Sequence, residues 1–236
     1  MRLDQYLVEN DILESRTKAQ NVIKEGHVTV NDKVQKKASF KVSDTDKVVL
    51  ENIEMYVSRA ALKLKGFIPH LPFSMKDMKV LDIGSSTGGF TEIALLEGAA
   101  HVTALDVGTD QLHHSLREDS RVTSLEQTDI RTYENESGFD VITSDVSFIS
   151  LLNILECVDR LANRWIILLF KPQFEVGREA KRDNNGVVLD KKAIAKAMME
   201  FEDACHIKGW KLHVKEHAMI TGKEGNAEEC YCFEKC

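Results

Sequence analysis

Long apolar runs are missing from this chain. No stretch approaches the roughly 20 residues that a membrane span requires. The opening Met1-Arg2-Leu3-Asp4-Gln5-Tyr6 has no apolar signal-peptide core. A pore-forming toxin, which would need such segments, finds no support. A disulfide framework is missing too, because the five cysteines are odd in number and irregularly spaced. Cys157 and Cys205 stand alone, while Cys230, Cys232 and Cys236 cluster at the end, which suits free thiols in a reducing cytoplasm. Cys230 and Cys232 would share one face of a strand, where core packing explains them better than metal binding. The eight histidines form no ligand pattern, and the adjacent His113 and His114 would point in different directions on a helix. No metal is expected. Uniform positive charge is also lacking, since the net charge is −7.

The average hides a local reversal. Between Arg16 and Lys41 stand seven lysines and arginines against Glu25 and Asp32, a net of +5 that leaves −12 for the remainder. A short basic segment inside an acidic protein points to a nucleic-acid contact confined to one region. Residues 3–9 read as a short helix. Ser15 then caps a second helix with Ala19, Val22 and Ile23 on its apolar face and Gly26 just past its end. Residues 28–30 and Val34 flank the tight turn Asn31-Asp32-Lys33, and residues 40–42 and 48–50 add two strand-like pieces. Arg16, Gln20 and Lys24 recur every four residues along one helix face. Alone, such a stripe reads equally as a solvated face. Lys33, Lys36 and Lys37 on the hairpin extend it into a two-element basic surface suited to phosphates. Arg2 and Lys18, together with Arg59 further on, complete the candidate RNA-binding set. The segment resembles the α-L RNA-binding module named after a small-subunit ribosomal protein, through Arg2-Leu3-Asp4-Gln5-Tyr6-Leu7, Ser15-Arg16-Thr17-Lys18-Ala19 and Ile23-Lys24-Glu25-Gly26-His27-Val28-Thr29-Val30-Asn31.

The expected division is a domain over residues 1–55, a link and leading helix over 56–78, and a larger domain over 79–236. The link itself falls near residues 52–57, and Ser58 is expected to cap the helix that places Arg59 and Lys63 on one face. Strand-like segments at 80–83, 101–105, 122–125, 139–143 and 166–170 alternate with helical patterns. That makes an α/β, Rossmann-like, parallel and doubly wound sheet. A further helix at 191–206 and closing strands at 212–216 and 229–233 follow.

Leu81-Asp82-Ile83-Gly84-Ser85-Ser86-Thr87-Gly88-Gly89-Phe90-Thr91 is a strand, a small-residue turn and a helix start. A dinucleotide fingerprint needs glycine where Ser86 stands, and a P-loop needs lysine where Phe90 stands. What survives is a nucleoside ligand without phosphates, which points to S-adenosylmethionine. Asp106, ending the next strand, is placed for ribose hydroxyls, and Asp129 is a candidate for the adenine amino group. The cofactor set is therefore Asp82, Gly84, Ser85, Thr87, Gly88, Gly89, Phe90, Asp106, Val107, Asp129 and Asp145.

Lys171 ends the apolar run Trp165-Ile166-Ile167-Leu168-Leu169-Phe170 and is followed by Pro172. Strand ends form the ligand crevice of such sheets, and a lysine there loses hydration, which favours the neutral amine. By itself it reads as a surface lysine. Asp145 ends the neighbouring strand; its alternative reading is an N-cap for a helix over 149–161. A carboxylate beside a lysine above a methyl donor suits transfer to a weakly acidic hydroxyl.

Nearly the whole chain resembles one family, the TlyA (haemolysin A) ribosomal RNA 2′-O-ribose methyltransferases. The matching stretches are Tyr56-Val57-Ser58-Arg59-Ala60-Ala61-Leu62-Lys63-Leu64, the glycine loop, Leu105-Asp106-Val107-Gly108, Ser144-Asp145-Val146-Ser147-Phe148-Ile149-Ser150-Leu151, Lys171-Pro172-Gln173-Phe174-Glu175 and Gly225-Asn226-Ala227-Glu228. The resemblance implies a catalytic tetrad of Lys63, Asp145, Lys171 and Glu228. Lys171 would be the base, Asp145 would orient it, and Lys63 and Glu228 would position the ribose. Because the chain is short for the family, the resemblance also implies a cytidine of large-subunit rRNA as target, with a link to susceptibility to ribosome-binding cyclic-peptide antibiotics. The expected partner is rRNA within a ribosomal subunit, with neither membrane nor DNA, and the chain is expected to act as a cytoplasmic monomer. A rival reading, a non-catalytic RNA-binding ribosome factor, would predict an eroded tetrad or glycine loop, and neither is eroded.

Overall fold

The computed structural model describes residues 1–43, 45–51 and 56–236. They form two compact units, Met1–Met55 and Tyr56–Cys236. Residues 56–78 thus belong to the second unit. Of the expected link, residues 52–55 lie outside the described residues.

In the first unit, α1 (Leu3–Glu9) and α2 (Arg16–Glu25) pack on a three-stranded antiparallel sheet of β1 (Val28–Val30), β2 (Lys33–Val34) and β3 (Val48–Leu50), with β1 in the middle. Ser15 Oγ accepts the Lys18 amide at the start of α2, and Gly26 ends the helix at a left-handed φ of 94°. Asn31 and Asp32 both adopt positive φ, which matches the turn to the twist of its strands. The expected strand over 40–42 does not form. The Leu3 amide donates to the Phe40 carbonyl and the Val42 amide to the Met1 carbonyl, so this segment is spent on the start of α1 and makes only a bridge between Arg2 and Lys41.

The second unit carries helices α3 (Ala60–Phe67), α4 (Gly89–Leu96), α5 (His114–Arg117), α6 (Leu155–Leu161), α7 (Pro172–Glu175) and α8 (Lys191–Ile207). Its strands are β4 (Lys79–Ile83), β5 (His101–Leu105), β6 (Val122–Leu125), β7 (Phe139–Ser144), β8 (Ala162–Phe170), β9 (Trp210–His217) and β10 (Glu229–Lys235), in the order β6-β5-β4-β7-β8-β10-β9. Strands β4 to β8 are parallel, but β10 pairs antiparallel with both β8 and β9, so the sheet is mixed rather than parallel. Two-residue alternation along β8 explains the layers. Trp165, Ile167 and Leu169 join the core with residues of α3 and α4, while Ile166, Leu168 and Phe170 join the core with residues of α6 and α8. Cys230 and Cys232 lie in the first of these cores, fully packed.

Two helix starts differ from expectation. Residues 149–161 are not one helix but a single 3-10 turn, Leu151–Asn153, followed by α6, and the turn is capped by Ser150 rather than Asp145. The first turn of α3 uses the Ser58 carbonyl, to which the Ala61 amide donates, and not the hydroxyl. No helix among the described residues is long and apolar enough to cross a membrane.

Candidate functional site

The chain enters the sheet of the second unit at β4, moves outward through β5 and β6, then returns to place β7 on the other side of β4. Ligand crevices form at such a reversal, outside the carboxyl ends of the strands. Asp145 follows β7 and Lys171 follows β8. Glu229 lies opposite Phe170 in the antiparallel register, so the start of β10 delivers Glu228 to the same end. Lys63 arrives from the middle of α3. Lys171 Nζ lies 2.5 Å from Asp145 Oδ1, and Lys63 Nζ lies 2.7 Å from Glu228 Oε2 and 3.8 Å from Asp145 Oδ2. These four side chains are only 2–12% exposed. Glu229 points away and pairs with His217. Two lysines and two carboxylates of alternating sign cancel in charge, yet taking them out of water opposes folding. Such a cluster is poor evidence of a stabilising device and better evidence of a working site.

Further residues, which sequence reasoning did not single out, complete the surroundings. Lys171 Nζ also donates to the Asp145 carbonyl at 3.1 Å and to Ser147 Oγ at 2.9 Å, so its ammonium group has two hydrogen bonds beside the ion pair with Asp145 Oδ1. Phe148, next in the chain, is 91% exposed. It is held at φ 66°, a left-handed conformation that a bulky residue rarely adopts. Its ring tilts against Phe174 at 5.1 Å between centroids. The loop is clasped from α7, where Glu175 accepts the Ser150 hydroxyl at 2.6 Å and the Leu151 amide at 2.9 Å. Burial pushes the Glu175 carboxyl above its ordinary range, and the two bonds oppose that shift. Gln173 Nε2 donates to Glu228 Oε1 at 3.3 Å. Ser147, Phe148, Gln173 and Glu175 all stand in stretches that resemble the family, which was the available signal; their partners were not legible from it.

The loop after β4 fits a nucleoside sulfonium. No cation occurs in residues 84–91, while Asp106 and Asp145 bring carboxylates to the crevice. Asp106 accepts the Ser86 amide at 2.8 Å and the Gly108 amide at 2.7 Å, joining two loops into one cradle. Gly84 has φ 75°, and a Cβ there would stand 3.1 Å from Val146 Cα, so a side chain would push the two sides of the crevice apart. Gly88 also needs its left-handed φ of 99°, Ser85 is buried beside it, and Val107 is exposed at the neighbouring strand end. The Thr87 carbonyl is taken by the His113 amide.

Four members of the expected cofactor set are placed differently. Asp82 is fully buried with both oxygens occupied, by the Thr91 hydroxyl at 2.7 Å and the Thr143 hydroxyl at 2.9 Å. It braces the loop from below, and burial pushes its carboxyl up to about 6 against the pull of the two hydroxyls. A Cβ on Gly89 would meet Ser58 Oγ at 2.4 Å and the Ala61 nitrogen at 2.7 Å, so this glycine serves the crossing of α3 and α4. Phe90 is a core side chain. Asp129 is gripped by Arg131 at 2.6 Å, whose hydrogen bonds lower its carboxyl from the ordinary range.

In the first unit Asp4 is the unexpected centre. Fully buried, it takes Arg2 Nε at 2.8 Å and Nη2 at 2.9 Å, Arg16 Nη2 at 3.1 Å and Gln20 Nε2 at 2.9 Å. The bonds from Arg2 lead those that hold its carboxyl well below the usual range, with burial opposing them. Arg16 and Gln20 are therefore not simply a solvated stripe. Lys18 pairs with Glu14 at 3.3 Å. Lys24, Lys33, Lys36 and Lys37 are exposed and have no ion pair among the described residues. In the second unit Arg59 is exposed while Lys63 is buried, so the two do not share one environment.

Comparison with known proteins adds the following. Residues 56–235 match the FtsJ-like methyltransferase family, and residues 1–48 match the S4 domain. The chain is 47% identical to the 23S rRNA (cytidine-2'-O)-methyltransferase TlyA of Campylobacter jejuni over the full length of both. It is 37% identical to the 16S/23S rRNA (cytidine-2'-O)-methyltransferase TlyA of Mycobacterium tuberculosis, covering 96% of this chain and 87% of that one. A solved Streptococcus thermophilus structure, described as a hemolysin, superposes with a TM-score of 0.75 at 34% identity, covering 100% of this chain and 88% of that chain.

Proposed function

The chain belongs to the FtsJ-like methyltransferase family and, within it, to the TlyA enzymes; on that premise we propose that it methylates the 2′-hydroxyl of a cytidine ribose in rRNA, and that its target lies in 23S rRNA of the large subunit. The enzyme depends on S-adenosylmethionine, which when bound supplies an electrophilic methyl group on a sulfonium. Asp106 and the backbone of Gly84 to Gly88 would hold the nucleoside end of that cofactor, with Val107 and Asp145 the further candidates at the same strand ends.

Lys171 receives the 2′-hydroxyl proton at Nζ. To do so its ammonium must first pass one proton to solvent, which frees a lone pair in place of one of its donor contacts, and Ser147 Oγ is the exposed hydroxyl among them. Asp145 keeps Nζ aimed during that exchange and stabilises the charge it acquires. Lys63 and Glu228 form a rigid pair beside them and orient the ribose hydroxyls. Phe148 offers an open ring face on which a base turned out of its stack can rest. The observation that carries this reading is the convergence of Lys63, Asp145, Lys171 and Glu228 in one dry cluster at the crevice.

Action within an assembled subunit, as a cytoplasmic monomer, and an effect on susceptibility to cyclic-peptide antibiotics are part of the same proposal. The first of these is supported by the N-terminal S4 domain and by exposed lysines that have no ion pair among the described residues. The test incubates the purified protein with labelled S-adenosylmethionine and separate small and large subunits, then maps the label in the recovered rRNA. A ribose 2′-O-methyl on one cytidine of the large subunit is expected. Label on a base, or none on either rRNA, would overturn the proposal.

A further inference from the structure

We propose that Asp4 is the positioning residue of a two-guanidinium clamp, Arg2 with Arg16, that takes a single phosphodiester of structured RNA. This rests on the RNA-binding reading of the N-terminal unit and adds to it a site, a stoichiometry and a residue of the wrong charge. Both guanidinium groups touch one oxygen, Asp4 Oδ2, which fixes them side by side. Arg2 is gripped through two nitrogens and Arg16 through one, which leaves more than half of their N–H donors unspent. The carboxylate lies wholly inside, whereas the Arg2 and Arg16 side chains are 36% and 52% exposed, so the unspent donors face water. Two cations on one anion keep a net positive charge at the surface. Gln20, bound to the same oxygen, adds a third tie from α2, so the clamp bridges the first turns of both helices.

The physical gain is order rather than charge. A free arginine surrenders its rotamer freedom when it closes on a phosphate, and the opposition from two such side chains is largely removed if they are already fixed. Planar guanidinium forks are also suited to a phosphate's paired oxygens. The other exposed cations of the unit, Lys24, Lys33, Lys36 and Lys37, have no such tether among the described residues and act as mobile point charges.

Charge and order predict opposite signs, which makes the test sharp. Affinity of the full chain for rRNA extracted from large subunits is measured at several salt concentrations, with thermal melting beside it. Asp4→Asn keeps the shape and deletes the one negative charge. Under the proposal it weakens binding on the order of tenfold without steepening the salt dependence. Tighter binding with a steeper salt slope would overturn the proposal, as would unchanged affinity. Should Asp4→Asn fail to fold, the double variant Arg2→Lys with Arg16→Lys decides. It keeps both charges but cannot reproduce the shared grip, so it should bind about as weakly as the double alanine variant. Affinity equal to the unaltered chain would sink the clamp. Had the double alanine variant itself lost no affinity, the RNA-binding reading of this surface would fail instead.

Discussion

The N-terminal unit buries one carboxylate, Asp4, and leaves its two arginine partners half in water, whereas the C-terminal unit buries both carboxylates and both lysines of its cluster. Arginine keeps its proton in any protein environment, so a network built on it can bind and orient but cannot exchange protons. Lysine is the cation that can also serve as a general base, so a buried lysine network can do chemistry. The same two signs of charge thus serve recognition in one unit and catalysis in the other, with the cation type and the access of water deciding which.

The largest effect comes from merging the two types. Lys171→Arg puts a permanent cation in the catalytic cluster and should abolish methyl transfer, as should Lys171→Ala, each by roughly 10²-fold or more, while S-adenosylmethionine still binds by calorimetry. Turnover by the arginine variant would erase the distinction between the two networks. Next, Glu228→Gln removes the nearer of the two carboxylates beside buried Lys63, leaving Asp145 at 3.8 Å, and should lower stability by about 1–3 kcal/mol in denaturant titrations. Replacing the pair together, Lys63→Met with Glu228→Leu, should restore most of it while leaving the enzyme inactive.

Two buried carboxylates sharpen the comparison through pH. Asp82 has no cation within its grip, and its carboxyl titrates at about 6 in the folded chain against an ordinary 3.8. The folded state therefore holds a proton that the unfolded state has released between about pH 4 and 6. Its stabilisation is complete below that window and lost as pH rises through it, by about 3 kcal/mol. Asp82→Asn should flatten the stability profile there, and an unchanged profile would count against the burial argument. Asp4 has the opposite sign, because its carboxyl is lowered by Arg2; its contribution is present above the ordinary carboxylate range and is lost as pH falls below it. The smallest effect is on the mobile cations. Glutamate at Lys33, Lys36 and Lys37 together should weaken rRNA binding and lower the salt slope by about 0.9 for each phosphate no longer neutralised. An unchanged slope would make them a plain solvated face.

Much of the fold was legible because its local signals agree with its packing. Ser15, Gly26 and the apolar spacing between them define α2, and the unbroken apolar run Trp165 to Phe170 marks β8 as a buried strand. The strand over 40–42 misled because β-like composition does not show which partner will claim the backbone, here the start of α1. Gly89 misled for a related reason, since a glycine required by a helix crossing looks the same as one required by a ligand.

The sequence by itself determined two units, a phosphate-free nucleoside loop, a basic N-terminal surface and, through family motifs, the members of the tetrad. Those features lie in short contiguous stretches, where neighbouring residues carry the meaning. Only the tertiary structure decided that β10 runs antiparallel and so carries Glu228 to Lys63, that Ser147 accepts a hydrogen bond from Lys171, and that a buried aspartate organises Arg2 and Arg16. Each needs side chains from different elements, such as Arg16 with Asp4 and Lys63 with Glu228, to meet where water is scarce. Charge has a direction of effect only once burial and distance are known, and neither is written in a linear chain.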